Sequence, residues 1–294
     1  MEGVVRICRR KANRIQFRVY TSSVTPLRIP GRYFVQNLVT GRALVAQLVR
    51  RDFQQRYVGS VAGWLWGVVH PLVQLGIWYY IFVKCLDQRM PPGAVTSSYL
   101  MFLFCGFLPW MLFQETVTRS ANCMVENANL ITKTVFPSEV LPVSVFLSSL
   151  IHHLIGLALA VAAVLLIEKH MSAKVLLLPV YMVFVGMLGV GVGWIVSSLQ
   201  VYLRDTVQFL TVVMTVWFWM TPIMILEDKI PAKVRPLIAW NPLTRIVRAY
   251  RERLLSPVWP HWQDLAILTA CSAGIFILGG LFFRHLKRGF ADVL

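Results

Sequence analysis

Apolar residues in this chain come in nearly unbroken runs of about twenty, not as narrow stripes with a helical or strand period. A helix rises about 1.5 Å per residue and the hydrocarbon core of a bilayer is about 30 Å thick, so about twenty residues cross it. Six runs qualify: 60–84, 99–118, 142–167, 175–199, 207–226 and 264–283. Charged residues mark several of their ends, among them Lys84, Glu168-Lys169 and Arg284. The pattern predicts an all-α integral membrane protein with six transmembrane helices.

The segments between the runs are patterned differently. Over 36–57, Leu38, Ala43, Leu44, Leu48, Val49 and Phe53 recur at helical spacing, with Arg42, Arg50, Arg51 and Arg56 interleaved. That alternation predicts an N-terminal amphipathic helix lying in the membrane interface. Residues 1–35 form a basic arm broken by Pro26 and Pro30, to which no role is assigned, and 58–294 form the six-span domain. The segment 227–263 is too long for a plain linker and is punctuated by Pro231, Pro236 and Pro242. Asn241-Pro242 reads as a helix start, and Leu243, Ile246, Val247, Tyr250 and Leu254 supply an apolar face. Two short outward-facing re-entrant helices, within 227–258, are expected there.

Composition agrees: the 294 residues are 57% hydrophobic and only 14% charged, and mean hydropathy is +0.63. Charge then sets the orientation. The net charge is +16, and residues 1–59 hold twelve Lys or Arg against Glu2 and Asp52 alone. Beside a membrane span, such a bias means retention in the cytoplasm and contact with anionic lipid, not nucleic-acid binding. Six spans then place both termini in the cytoplasm, where Arg284, Lys287 and Arg288 also stand. One segment runs against the rule: 227–263, assigned outward, carries Lys229, Lys233, Arg235, Arg245, Arg248, Arg251 and Arg253. No cleavable signal peptide is expected, because no apolar core precedes residue 60.

Catalytic chemistry is sparse. Cys8, Cys85, Cys105, Cys123 and Cys271 are scattered, so no metal site and no disulfide framework is expected. Lys133-Thr134 has no glycine loop upstream, so the chain lacks a P-loop, binds no cofactor itself, and would need ATP-Mg on a second polypeptide. Glu115 is the one acidic residue expected inside a span, with Arg119 four residues on, and His70, His152 and His153 read as interhelical hydrogen-bonding groups rather than proton relays. Two mixed aromatic and polar stripes stand out on apolar helices: Trp66, His70, Gln74 and Trp78 in the first span, and Gln208, Thr211, Thr215, Phe218 and Trp219 in the fifth. They are read as the lining of a passage in which sugars stack on rings and bond to amides. Gly59, Gly63 and Gly67, and also Gly189 and Gly193, read as small-residue series for close helix packing. Pro71 and Pro222 are expected to kink their helices.

Several strings occur in order: Arg56-Tyr57, Gly63-Trp64-Leu65-Trp66, Pro71-Leu72, Asn129-Leu130-Ile131-Thr132-Lys133, Phe136-Pro137, Leu141-Pro142, Arg204-Asp205, Thr221-Pro222-Ile223, Ile230-Pro231, Asn241-Pro242-Leu243, Tyr250-Arg251 and the terminal Gly289-Phe290-Ala291-Asp292-Val293-Leu294. Together they resemble the permease subunit of bacterial polysaccharide ABC exporters, of the type 2 ABC exporter family, whose members move O-antigen, teichoic acid or capsular glycan. The resemblance covers about 36–294, and the basic arm departs from it. It implies a homodimer in the bacterial inner membrane enclosing a channel, two copies of a P-loop ATPase subunit, and a polyprenyl-pyrophosphate-linked glycan as cargo. It implies a coupling loop over 122–139, with Asn129, Leu130, Lys133, Phe136 and Pro137 meeting the ATPase, and a lateral gate over 36–57. Arg50, Arg51 and Arg56 are placed to meet the pyrophosphate, and the helices of 227–258 to form an exit gate. The alternatives are an exporter of a small hydrophobic compound and, opposed by the scarcity of intramembrane carboxylates, a membrane enzyme that transfers glycans.

Overall fold

The computed structural model describes residues 42–55, 63–91, 94, 96, 98–133, 136–169, 172–256 and 258–294. The basic arm 1–35, the first residues of the amphipathic stretch, Arg56 and Gly59 lie outside the described residues. Among the described residues there are helices and no strands. A helix α1 (Arg42–Gln55) precedes α2 (Trp66–Tyr79), which runs on through a wider π-helical stretch, Tyr80–Cys85. Then come α3 (Tyr99–Glu126), the short α4 (Ala128–Lys133), α5 (Val140–Ile167), α6 (Leu178–Tyr202), α7 (Thr206–Met220), α8 (Arg235–Trp240), α9 (Pro242–Leu255), α10 (Trp262–Leu286) and a terminal turn α11 (Phe290–Val293).

Among the described residues, five helical stretches are long and apolar enough to cross a membrane: Trp66–Cys85, Tyr99–Glu126, Val140–Ile167, Ala173–Tyr202 and Trp262–Gly289. The chain is a multi-pass membrane protein. The fifth expected span is shorter than its apolar run. α7 has 15 residues, about 22 Å at 1.5 Å per residue. It stops because Pro222 disfavours helical backbone at the residue before it, and Thr221 is extended, with ψ 130. Pro222 therefore ends the helix instead of kinking it, while Pro71 does sit inside α2.

α3 is the centre of the bundle. Met101 through Trp110 are buried without interruption, a pattern that arises only when neighbours cover every face of a helix. α6 lies beside it, and its small residues account for the close approach. A Cβ on Gly189 would meet Thr116 at 3.1 Å, and one on Gly193 would meet Ser120 at 2.9 Å. The four-residue step on α6 thus matches the four-residue step on α3. The opposite face of α6 meets α10 backbone to backbone, since a Cβ on Gly279 would stand 2.2 Å from the Gly191 carbonyl oxygen. The other glycine series behaves differently. Gly63 has φ +51 with nothing within 4 Å of its Cβ position, so it serves a turn ahead of α2 and not a helix contact.

The two ends of the bundle are distinct. At one end, Arg119 of α3 donates to Asp52 of α1 at 2.5 Å, Lys287 donates to Glu139 at 2.7 Å, and Tyr202 donates to the Leu286 carbonyl at 2.9 Å. The first described helix and the C-terminus therefore share an end. At the other end, Lys229 donates to Gln88 at 2.6 Å, Thr96 bonds Glu168, and the Lys174 ammonium lies 4.6 Å from the centre of the Trp259 ring.

Between α7 and α10 the chain folds inward. Asn241 caps α9, its side chain accepting from the Leu243 amide at 3.1 Å. Most of α9 is buried, against α3, α6 and α10. Its arginines, which looked like free charge on the wrong side, are consumed internally. Arg245 pairs with Asp264, and Arg248 grips Glu227 through two bonds of 3.2 and 2.6 Å. Arg253 bonds Glu252 at 3.0 Å and the Val258 carbonyl. Burial pushes the Glu252 carboxyl up, and Arg253 and Arg248 pull it back. The orientation rule counts charge that is free in loops, so this segment carries less of it than its sequence shows.

Candidate translocation site

A cavity of about 610 Å³ opens between α2, α3, α5 and α7. The whole first-span stripe, Trp66, His70, Gln74 and Trp78, lines it, and so do Thr215 and Phe218 of α7. Successive four-residue steps keep the four α2 side chains on one slowly turning side. The rings form a continuous surface. Trp78 stacks on Phe218 at 5.5 Å and meets Phe107 edge-on at 4.6 Å, and Trp110 lies 5.3 Å from Phe218. Polar groups are spaced among them. Trp110 Nε1 donates to Gln114 Oε1 at 2.7 Å, and His153 Nε2 lies 3.0 Å from the Tyr250 hydroxyl of α9. Rings with interspersed hydrogen-bonding groups suit a ligand that is hydroxylated at its edges and apolar on its faces.

The remaining α7 residues are not gathered there. Gln208, Thr211 and Trp219 lie outside the cavity lining, on the exposed face of α7 with Phe209 and Val212. The Thr211 and Thr215 hydroxyls are satisfied by the Val207 and Thr211 carbonyls at 2.9 and 2.8 Å, so neither requires an outside partner. Trp219 packs edge-on to Phe218 at 5.6 Å. It lines a separate hollow of about 220 Å³ with Pro222 and Lys229.

α1 lies beside this cavity. Val45 and Leu48 are its buried residues, and its Phe53 ring lies 5.3 Å from His152, which lines the cavity. Arg50 is exposed, and Arg51 is exposed with a bond to Asn127. The segment expected as a loop over 122–139 is largely helical: α3 runs on to Glu126, and α4 follows after Asn127. Asn129 and Lys133 are exposed, and Leu130, Phe136 and Pro137 are half-buried; Thr134 and Val135 lie outside the described residues. The helix persists because Asn127 closes α3 with its own side chain, Nδ2 donating to the Cys123 carbonyl at 2.9 Å.

The model of a protein family described as "ABC-2 type transporter" matches residues 43–255. The chain belongs to the ABC-2 type transporter family. Within its curated relatives, an O-antigen export system permease protein, RfbA, of Klebsiella pneumoniae is 29% identical over 252 residues, covering 85% of this chain and 95% of that protein. RfbA of Myxococcus xanthus is 25% identical, covering 88% of this chain and 98% of the relative. The polysialic acid transport protein KpsM of Escherichia coli is 23% identical, covering 73% and 82%. The stretch matched to the ABC-2 family contains the cavity, α1, α4 and the buried α9.

Sequence reasoning missed part of this ABC-2 permease's site. Phe107 and Trp110 on α3 were not singled out in the sequence, although two large rings three residues apart in the run 99–118 were a usable signal. Asn127 gave no signal, since its role depends on where α3 ends. Arg251 entered only as charge and as part of the Tyr250-Arg251 string. It is buried at 6% exposure, and its guanidinium donates to the Phe102, Pro222 and Ile223 carbonyls at 3.1, 2.8 and 2.6 Å.

Proposed function

We propose that this chain is the permease of an ATP-driven exporter that carries a polyprenyl-pyrophosphate-linked polysaccharide of the O-antigen class across the bacterial inner membrane. The observation that carries this reading is the ring-lined cavity of about 610 Å³ set among helices of bilayer length. A hydroxyl-rich polymer cannot enter hydrocarbon without replacement partners for its hydrogen bonds. The names of the relatives point to the same class of cargo.

Two copies of the chain form the working channel, each with six spans, α7 being the shortest, and with both termini cytoplasmic. The exposed face of α7, with Gln208, Thr211 and Trp219, then turns toward the second copy and extends the lining begun by Trp66, His70, Gln74 and Trp78. Arg50, Arg51 and Arg56 receive the lipid pyrophosphate at the interface, as guanidinium forks suit phosphate oxygens. α8 and α9 form the outward re-entrant gate. A separate P-loop ATPase, present twice and binding ATP-Mg, supplies the work. Asn129, Leu130, Lys133, Phe136 and Pro137 receive its motion.

Substituting Trp78 with Ala removes the ring shared by Phe107 and Phe218. Aromatic pairs are worth about 0.5–1.5 kcal/mol, so glycan export is expected to slow by about threefold to tenfold while the variant still co-purifies with its ATPase. Surface glycan appearing at the unaltered rate in Trp66→Ala and Trp78→Ala alike would remove the channel assignment.

A further inference from the structure

We propose that Arg51 and Asp52 of α1, joined to Asn127 and Arg119, form a releasable latch that holds the amphipathic helix beside the cavity and ties its position to the coupling segment. This rests on the exporter reading above for its purpose, but its geometry is independent of the cargo. The four residues act as positioning residues.

Two polar contacts reach across the chain to the same end of α1. Arg119 Nη2 donates to Asp52 Oδ1 at 2.5 Å, 67 residues away in sequence. Arg51 donates to the Asn127 side-chain oxygen, 76 residues away. Each far partner stands at a point that matters. Arg119 also reaches toward Glu115 one turn back, 4.0 Å between Nη1 and Oε1, and Glu115 lines the large cavity. Asn127 is the single residue between α3 and α4. A tilt of α4 therefore moves the acceptor that Arg51 holds, and a loss of the Asp52 contact frees the group beside Glu115. The Phe53 ring against His152, at 5.3 Å, seats the same helix against α5, whose His152 lines the cavity.

The energetics suit release. Among the described residues of α1, Val45 and Leu48 are buried and Leu44 and Val49 are partly buried against the same cluster, so the polar contacts act beside a modest apolar seat. Asp52 and Arg119 keep 22% and 30% of their side chains exposed. The contacts border a second cavity of about 360 Å³, whose walls include Arg51, Asp52, Arg119, Asn122, Glu126 and Asn127. A cavity of that size and polarity admits water. Water can then take over each bond as it breaks, and the exchange of partners costs little. A larger apolar seat would have to be dewetted on every return.

The test is a distance measurement between spin labels at Gln47 of α1 and Leu154 of α5, both exposed positions, in the full permease–ATPase complex in nanodiscs. Without nucleotide, the unaltered complex should give one narrow distance population that shifts when a non-hydrolysable ATP analogue is added. Arg119→Gln, Asp52→Asn and Arg51→Gln should each raise the detached population about twofold to fivefold without nucleotide, the range for a partly exposed ion pair or its equivalent. The exchanged pair Asp52→Arg with Arg119→Glu should restore the narrow population, which rules out general misfolding. Unchanged populations and an unchanged nucleotide response in the three single variants would overturn the latch. An exchanged pair that stays detached while remaining assembled with the ATPase would overturn it too. No glycan is needed, so a latch that behaves as expected in a complex that carries no glycan would leave the latch standing and remove the cargo assignment.

Discussion

Replacing Gly279 by Ala is expected to destabilise the protein by about 3 kcal/mol, at the upper end of the cost of overpacking a close contact. The new methyl would lie 2.2 Å from the Gly191 carbonyl oxygen and 2.9 Å from its Cα. Those atoms belong to the backbone of α6, so no side chain can swing aside, and the helices must separate. Separation would also loosen the Trp194 contact with Phe276, whose rings lie 4.9 Å apart, and the seating of Phe283 under Phe290 at 5.4 Å. Gly274→Ala is the control on the same helix, because nothing stands within 4 Å of its Cβ position. Ala favours a helix over Gly by about 1 kcal/mol, so that variant should be neutral or slightly more stable. Thermal unfolding of the two purified variants, followed by tryptophan fluorescence, distinguishes them. Equal melting temperatures would contradict the α6–α10 contact.

Arg251→Leu should be nearly as damaging, for a different reason. Its guanidinium joins three pieces of chain: α3 through the Phe102 carbonyl, and the turn after α7 through the Pro222 and Ile223 carbonyls. The same group lies 3.5 Å from the centre of the Phe102 ring. It occupies the space beside Gly106, where a Cβ would stand 2.5 Å from its Nη2. Leucine leaves the two turn carbonyls without donors in a dry site, at about 1–3 kcal/mol for each, so a total of about 2–6 kcal/mol is expected. Arg251→Lys should recover only part of this, because an ammonium cannot present the guanidinium fork to three acceptors. Gly106→Ala should be milder than Arg251→Leu, since the obstacle is the end of a flexible side chain. If Arg251→Leu melts with the unaltered protein and exports normally, the clamp holding α9 is not structural.

The helical class and the places of the long spans were legible because they depend on one quantity, the length of an apolar run against the thickness of hydrocarbon. α5 begins at Val140 where 142 was expected, and both end at 167. The length of the fifth span was misjudged because apolar character over 207–226 continues past the point where Pro222 forbids helix. α9 was read correctly at its start, since Asn241-Pro242 is a local signal. Its burial was not legible, because that depends on carbonyls of α3 and of the α7 turn that only the fold brings to Arg251. The same holds for the site. The α2 stripe could be read from its own periodicity and does line the cavity. The α7 stripe mixes two faces: Phe218 and Thr215 reach the cavity, whereas Gln208, Thr211 and Trp219 do not. A regular spacing shows that residues share a side of a helix, but the packing of its neighbours decides what that side meets. Arg119 and Asn127 carried no joint signal with α1, standing 67 and 76 residues from their partners Asp52 and Arg51.

The most direct measurement is reconstitution. The permease is placed in proteoliposomes with its ATPase, and a polyprenyl-pyrophosphate-linked O-antigen is supplied on the face that carries the ATPase. ATP-dependent appearance of glycan on the opposite face, lost when the ATPase cannot hydrolyse ATP and slowed by Trp78→Ala, is the predicted result. Vesicles that export a small hydrophobic compound under ATP but leave the glycan where it was loaded would contradict the account.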